Sequence, residues 1–436
     1  MDPVIIAVIG IAGMLLLIAL HVPIGIAMAT AGFFGVWLLL DLEPAIKMFA
    51  TAPTQVLVTQ ELGAIPMFLL MGSFASAAGL SGDLYRLFYA LIGHYRGGLA
   101  MTTIGGCGGF GAVCGSSLAT ASTFMRIALP EMRERGYRPS LAAGSIAAGG
   151  TLGILIPPSN LMLLYGVLTE QFVIALFAAA VIPGLICIAV YFATIAAYVR
   201  VRPGSGPAGP RMPWRERLVV VRSCWGVLVL AAVVSGGIYG GVFTVLEAAA
   251  VGCFMAFGFT WLRGRLTVKV LREVLVQTAA STGLIYIIII GATIFTFFIT
   301  LSQMPTVLVS AIESSGLEPW MVIVLLLVMY IILGSIFETV AAMIITLPVV
   351  FPLVVGLGFD PIWWGVINIM VIEIGQITPP IGIIPFVLHG MAPDVPLKTI
   401  FSGIAPFFVA DLARLAIVAI FPALSLWLPG VLGLMV

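Results

Sequence analysis

Two Pro-Pro pairs, Pro157-Pro158 in GTLGILIPPSN and Pro379-Pro380 in EIGQITPPIG, each interrupt a long apolar run. Proline removes a backbone donor and leaves the carbonyls upstream without a helical partner. Glycine permits sharp turns beside each pair, at Gly153 in the first and at Gly375 and Gly382 in the second. Two further apolar stretches carry a Gly-Ser interruption: Gly115-Ser116-Ser117, followed by Thr120, and Gly334-Ser335, followed by Glu338 and Thr339. Freed carbonyls with Ser and Thr hydroxyls make a cage of hard oxygens suited to sodium. The N-terminus of a helix that resumes after a break offers unpaired N–H groups and partial positive charge, which suit a carboxylate. A cation site and an anion site side by side are what coupled movement of an ion and an organic anion requires.

These motifs must be carried by matching elements, because they recur at one spacing. The two Pro-Pro pairs lie 222 residues apart, and Pro130/Pro352, Gly136/Gly358, Tyr137/Phe359, Pro139/Pro361 and Gly153/Gly375 share that offset. A lone Pro-Pro or Gly-Ser in an apolar helix is more simply a packing kink, since membrane helices are rich in both residues. Paired interruptions in two halves of one apolar chain instead point to the binding site of a secondary transporter. Ser159 and Asn160 follow the first break directly; capping the resumed helix and touching a ligand both fit them.

The rest of the chain places this machinery in a bilayer. Hydrophobic residues make up 61% and charged residues 8%, with a mean hydropathy of +1.22. A soluble globular chain carries about 25% charge. Spans of about 20 apolar residues are expected near 4–20, 23–40, 62–80, 139–168 (broken), 172–199, 223–242, 244–262, 274–300, 361–391 (broken) and 399–428. The stretches 99–130 and 319–352 read as re-entrant hairpins tipped at the Gly-Ser motifs, or alternatively as pairs of short spans. The opening MDPVIIAVIG has no basic stretch and reads as a retained span, not a cleaved signal. Segments 84–93 and 305–316 precede the hairpins and suit amphipathic arms on the membrane surface.

Basic residues collect in cytoplasmic loops. With both termini periplasmic, 16 of the 19 Lys and Arg residues fall in inner segments and only Lys47 in an outer one; Arg126 and Arg414 fall within membrane segments. The chain then crosses five times between Pro139 and Pro361, which makes the repeats inverted. The expected fold is an all-α integral membrane protein. Residues 1–199 and 223–436 each hold three spans, a re-entrant hairpin, a broken helix and a closing span, joined by a cytoplasmic linker at 200–222.

Few ionisable residues lie at membrane depth, and each is costly there. Glu338, beside the second hairpin tip, and Glu373, two residues before Gly375, are placed to tune a sodium site or relay a proton. Asp411 and Arg414, three apart on a helix, most simply pair with each other. Arg126 either snorkels to the inner surface or faces the substrate. Other chemistries lack their residues. His21, His94 and His389 have no metal-ligand spacing, and no Gly-rich phosphate loop ends in Lys and Ser/Thr. Cys107, Cys114, Cys187, Cys224 and Cys253 are scattered as packing residues. A net charge of +1 with no basic stripe excludes a nucleic-acid partner.

The stretches IPMFLLMG (65–72), ALPEMRERGYRPSLAAGSIAAGGTLGILIPPS (128–159), LYGVLTE (164–170), GVFTVLEAAAVG (241–252), EIGQITPPIG (373–382) and HGMAPDVPLKTIFSGIAPFFVADLARLAI (389–417) resemble the large membrane subunit of TRAP transporters, the DctM-like permeases. The likeness runs from near His21-Val22-Pro23 to the C-terminus. It implies a sodium-driven importer of an organic acid, C4-dicarboxylate-like, in the bacterial inner membrane. It also implies an elevator mechanism and no cofactor beyond sodium. The implied partners are a small four-span membrane subunit and a periplasmic substrate-binding protein; a stand-alone sodium/dicarboxylate symporter is the alternative. By that likeness sodium falls to Gly115, Ser116, Ser117, Gly153 and Pro157, and to Gly334, Ser335, Thr339, Gly375, Thr378 and Pro379. Thr120, Pro158, Ser159, Asn160, Glu338, Pro380 and Gly382 are left for the substrate. Relatives commonly carry Asp near Glu338, and Asn in the stretch after Pro380 where this chain reads Gly382-Ile383-Ile384-Pro385.

Overall fold

The computed structural model describes residues 2–435; Met1 and Val436, the outer limits of the expected repeats, lie outside the described residues. All its regular elements are helical. The first half runs α1 (Pro3–Ala19), α2 (Ile24–Leu39), α3 (Leu42–Val58), a 3-10 turn (Gln60–Gly63), α4 (Ala64–Ala77), α5 (Leu80–Ile92), α6 (Gly98–Cys114), α7 (Ser117–Glu134), α8 (Pro139–Leu155), α9 (Asn160–Leu168) and α10 (Val173–Val201). The second runs α11 (Trp214–Ser223), α12 (Trp225–Tyr239), α13 (Val245–Leu262), α14 (Val268–Leu301), α15 (Met304–Ser315), α16 (Pro319–Ile336), α17 (Thr339–Gly356), α18 (Pro361–Gln376), α19 (Ile383–Met391), α20 (Leu397–Ile420) and α21 (Ala423–Val431). Six of the described helices are long and apolar enough to cross a bilayer singly, or nine if each bent pair is one span.

Local chemistry sets the same joint in both halves. Between α7 and α8, and again between α17 and α18, the chain reads Gly-aromatic-X-Pro. Gly136 and Gly358 adopt φ of 71° and 87°, the left-handed conformation that ends a helix at least cost. Three residues later Pro139 and Pro361 open the next helix, where a missing N–H costs nothing. Asp360 also caps α18, accepting from Ile362 N and Trp363 N at 2.8 and 2.9 Å. Apolar length then does the rest, since helices satisfy every backbone group inside lipid.

The helices pack in two groups. In one, α2 lies along α14 and α4 along α13, with α1, α3 and α12 alongside. In the other, α6, α7 and α20 surround α8, while α16 and α17 pack on α18. Glycine allows the closest crossings: Gly25 meets Gly291 backbone to backbone between α2 and α14, and Gly144 meets Gly403 between α8 and α20. Helices α5 and α15 lie against α6 and α17 respectively, and so adjoin the hairpin arms. Large apolar side chains face outward, among them Ile5, Leu16, Leu284 and Leu325, as lipid contact requires.

The structure departs from the sequence expectation in four places. Residues 42–58, expected in an outer loop, form helix α3, bent by 60° from the helical segment that follows; its buried Ala45, Ala52 and Val56 give it one packing face. The break in the second hairpin falls at Phe337-Glu338 and not at Gly334-Ser335, which stay in the last turn of α16. Glu338 caps α17, accepting from Val340 N and Ala341 N at 3.0 and 3.4 Å, and this fixes the new helix start. The linker is irregular only from Arg202 to Pro213, because 214–223 is helical. The closing span stops at Ile420, where Phe421-Pro422 interrupts it before α21.

That irregular linker is tied down. Gly97 N donates to Gly206 O at 2.9 Å, Arg138 N to Ser205 O at 2.9 Å and Gly209 N to Gly93 O at 3.1 Å. Tyr137 adds a hydroxyl bond to Pro207 O at 3.0 Å and receives Leu99 N at 3.1 Å.

Candidate functional site

In the first half the hairpin tip sits directly on the broken helix. Gly115 ends α6 at φ 61°, and Ser116 caps α7, accepting from Ala119 N at 3.4 Å. Across from it, α8 stops at Leu155 and α9 resumes at Asn160, the two inclined by 42° about Pro157-Pro158. The Pro157-Pro158 bond, like Pro379-Pro380, is cis. The approach is close enough to exclude side chains. A methyl group on Gly153 would stand 2.6 Å from Thr120 Oγ1 and 2.7 Å from the Ser116 carbonyl oxygen. Ser159 caps α9 through Met162 N at 3.4 Å. Asn160 is left with both amide atoms buried and unpartnered, as is the Thr120 hydroxyl.

The second half repeats the arrangement with different side chains. A methyl group on Gly375 would lie 2.7 Å from Gly334 Cα, and one on Gly334 would lie 2.7 Å from Ile372 O. Gly382, at φ 61°, donates its N–H to Ser335 O at 2.9 Å. Thr378 Oγ1 turns back to Ile374 O at 2.6 Å. Gln376 Nε2 donates to Phe337 O at 2.9 Å, holding the tip against the broken helix.

Glu373 joins the two halves. Its carboxylate, 2% exposed, accepts from Ser117 Oγ at 2.7 Å and from Thr339 Oγ1 at 3.5 Å. Sequence reasoning placed Glu373 beside the second break, to tune a sodium site or relay a proton, but not its partner Ser117, which stands 256 residues away. Behind it, Arg414 Nη2 pairs with Asp411 Oδ1 at 2.9 Å, both fully buried. The Tyr191 hydroxyl donates a hydrogen bond to Asp411 Oδ2 at 2.7 Å. Pairing of these two charges was the expected reading. Arg126 is exposed on α7 and joins no ion pair among the described residues, which fits a snorkelling residue. Arg133 ties the end of α7 to Asp394, in the turn before α20, at 2.6 Å.

A cavity of about 930 Å³ opens between the hairpin tips and the other helix group. Gly115, Ser116, Asn160 and Glu338 line it from one side; His21, Gln277 and Ser281 line it from the other. Of the residues expected at the substrate, Asn160 and Glu338 reach this cavity. Thr120, Pro158, Ser159, Pro380 and Gly382 do not line it, being held at the junctions of tip and broken helix. No Lys or Arg lines it, so main-chain N–H groups and amides are its positive features. The N-terminus of α17 is filled by its own Glu338, whereas α19 begins without a side-chain cap. Gln277 and Ser281 were missed, although they stand four residues apart on one face of α14; the neighbouring Thr278 and Thr282 and the charged first turns of that helix mask the pair.

Comparison with known proteins agrees with this architecture. Residues 11–424 match the family model described as Tripartite ATP-independent periplasmic transporter, DctM component. The C4-dicarboxylate TRAP transporter large permease protein DctM of Pseudomonas aeruginosa is 37% identical, over 89% of this chain and 90% of that one. The isethionate TRAP transporter permease protein DctMQ of Oleidesulfovibrio alaskensis is 31% identical, over 84% of this chain and 58% of that longer one. The crystal structure of the Alcanivorax borkumensis YdaH transporter shares the fold at 17% identity and a TM-score of 0.56, covering 89% of each chain. With nearly its whole length accounted for, the chain belongs to the DctM family: it is a multi-pass large permease subunit of a TRAP transporter, and not an enzyme.

Proposed function

We propose that this permease imports an organic acid, a carboxylate of C4-dicarboxylate type, driven by sodium. The observation that carries the reading is the duplicated contact of a hairpin tip with a broken helix beside one cavity, which Gly115, Ser116 and Asn160 line from the first contact and Glu338 from the second tip. Around the first contact, Gly115, Ser116, Ser117, Gly153 and Pro157 supply carbonyl and hydroxyl oxygens for one sodium. Around the second, Gly334, Ser335, Thr339, Gly375, Thr378 and Pro379 do the same. The substrate lies in the cavity between them. Asn160 and the N–H groups in the first turn of α7, which starts at Ser117, meet its acidic group, with Glu338 bounding the far end. Dicarboxylate and isethionate, named for the two relatives, are both small organic anions, which supports the acid and leaves its identity to assay.

The two halves form inverted repeats, supported by the basic-residue count of the loops. Residues 1–199 and 223–436 are the repeats, with the linker at the cytoplasmic face and both termini periplasmic in the inner membrane. The group around α8 and α18 moves as an elevator against the group of α2, α4, α13 and α14. A small membrane subunit and a periplasmic binding protein complete the system. Purified permease with its small subunit, reconstituted in proteoliposomes, should accumulate substrate only with an inward sodium gradient and the loaded binding protein. Uptake indifferent to sodium defeats the coupling; uptake without any binding protein favours a stand-alone symporter.

A further inference from the structure

Glu373 sits on α18 in the second half, yet its two oxygens serve both hairpins. Oε2 accepts from Ser117 at 2.7 Å and Oε1 from Thr339 at 3.5 Å, and the carboxylate is buried. It joins no ion pair among the described residues. A hydroxyl has one proton and two lone-pair directions. When the proton goes to a carboxylate, the lone pairs turn elsewhere as ligands for a cation, and the negative charge behind makes them better ones. This is how outer partners orient the inner ligands of metal sites.

We infer that Glu373 is a positioning residue shared by both sodium sites, accepting one hydrogen bond from each hairpin tip and so making occupancy of either site favour the other. The inference rests on the sodium-coupled reading above. A sodium ion held by Ser117 fixes that hydroxyl, which fixes the carboxylate. The carboxylate then holds Thr339 in the ligating orientation in advance of the second ion. The ordering cost is met once for two ions, which is positive cooperativity.

Glu373→Gln tests it. The amide accepts through one oxygen, while its NH2 group needs an acceptor, so one hydroxyl must reverse and present its proton to the cation. Sodium-dependent thermal stabilisation of the purified protein in detergent should need at least about tenfold more sodium, the scale of one hydrogen bond to a charged group. The Hill coefficient should fall towards one, with the sodium-free Tm retained. A merely structural role would lower that Tm and leave the Hill coefficient alone. If the amide variant does not fold, Glu373→Asp is read instead. It keeps the charge but, one methylene shorter, reaches a single hydroxyl, and the same loss of cooperativity is expected. Unchanged half-saturation and Hill coefficient in a folded variant overturn the shared carboxylate alone. Wild-type protein that sodium does not stabilise overturns the sodium coupling with it.

Discussion

Replacing Gly375 with alanine puts a methyl group where the structure has room for a hydrogen. The new carbon would lie 2.7 Å from Gly334 Cα and 2.8 Å from Ile331 O, against about 3.5–4.0 Å for a relaxed carbon contact. The neighbours are backbone, so no side chain can swing aside, and α16 and α18 must part by about 1 Å. That displacement carries the Ser335 carbonyl from its 2.9 Å bond with Gly382 N to roughly 3.9 Å, outside hydrogen-bond range. Overpacking of this kind costs about 1–3 kcal/mol, which is about 5- to 150-fold if it falls on the sodium-bound state. Sodium titration of substrate uptake in proteoliposomes should therefore show half-saturation rising by that factor, with Tm reported alongside. Gly283→Ala on α14, with nothing within 4 Å of its new methyl, is the matched control and should change neither quantity adversely. A folded Gly375→Ala protein with wild-type half-saturation would refute the placement of a sodium ion at this contact.

Four other substitutions separate binding from stability. Asn160→Ala removes the unpartnered amide from the cavity and should raise the substrate KM about tenfold at unchanged sodium half-saturation, read by uptake at saturating sodium; one lost hydrogen bond to a charged group is of that size. Asp411→Asn leaves Arg414 buried without its counter-charge and should destabilise the protein by about 3–5 kcal/mol, read as a fall in Tm, while Tyr191→Phe should cost a fraction of that. Thr244→Ala breaks the capping box in which Thr244 Oγ1 receives Glu247 N at 3.2 Å and Glu247 Oε2 receives Thr244 N at 2.9 Å. It should cost about 0.5–2 kcal/mol of stability and leave sodium dependence untouched, because this cap lies at the start of α13, outside the hairpin group.

Residue types that act on their own backbone were legible from the chain. Pro157-Pro158 and Pro379-Pro380 cannot continue a helix, so the breaks between α8 and α9 and between α18 and α19 fall beside them. Gly136 and Gly358 end helices for the same local reason. Where a break depends on a side chain finding its cap, sequence misplaced it: Glu338, and not Gly334-Ser335, decides where α17 starts. Helix α3 escaped the sequence reading because Glu43, Pro44 and Lys47 give its first turns the composition of a loop, while of its buried Ala45, Ala52 and Val56 only the last carries a strong apolar signal.

What sequence could not reach is the joining of the halves. Each repeat advertises its own tip and its own break, and symmetry alone suggests two separate sites. The hydrogen bond from Ser117 to Glu373 crosses that division, and no periodicity or offset relates the two residues. Their 222-residue counterparts do not repeat the contact. Ser117 corresponds to Thr339, which also turns to Glu373, while Glu373 corresponds to Thr151, whose hydroxyl bonds Ala148 O at 2.7 Å. The duplicated framework thus carries one carboxylate where strict symmetry would supply two or none. A second acid at position 151 would face Tyr191, already within 3.3 Å of Thr151 and bonded to Asp411, and would add a negative charge beside the Asp411–Arg414 pair. The asymmetry is consistent with charge: the buried Asp411–Arg414 pair already balances one acid against one base, and of the two equivalent positions only Glu373 carries a carboxylate that meets both hairpin tips.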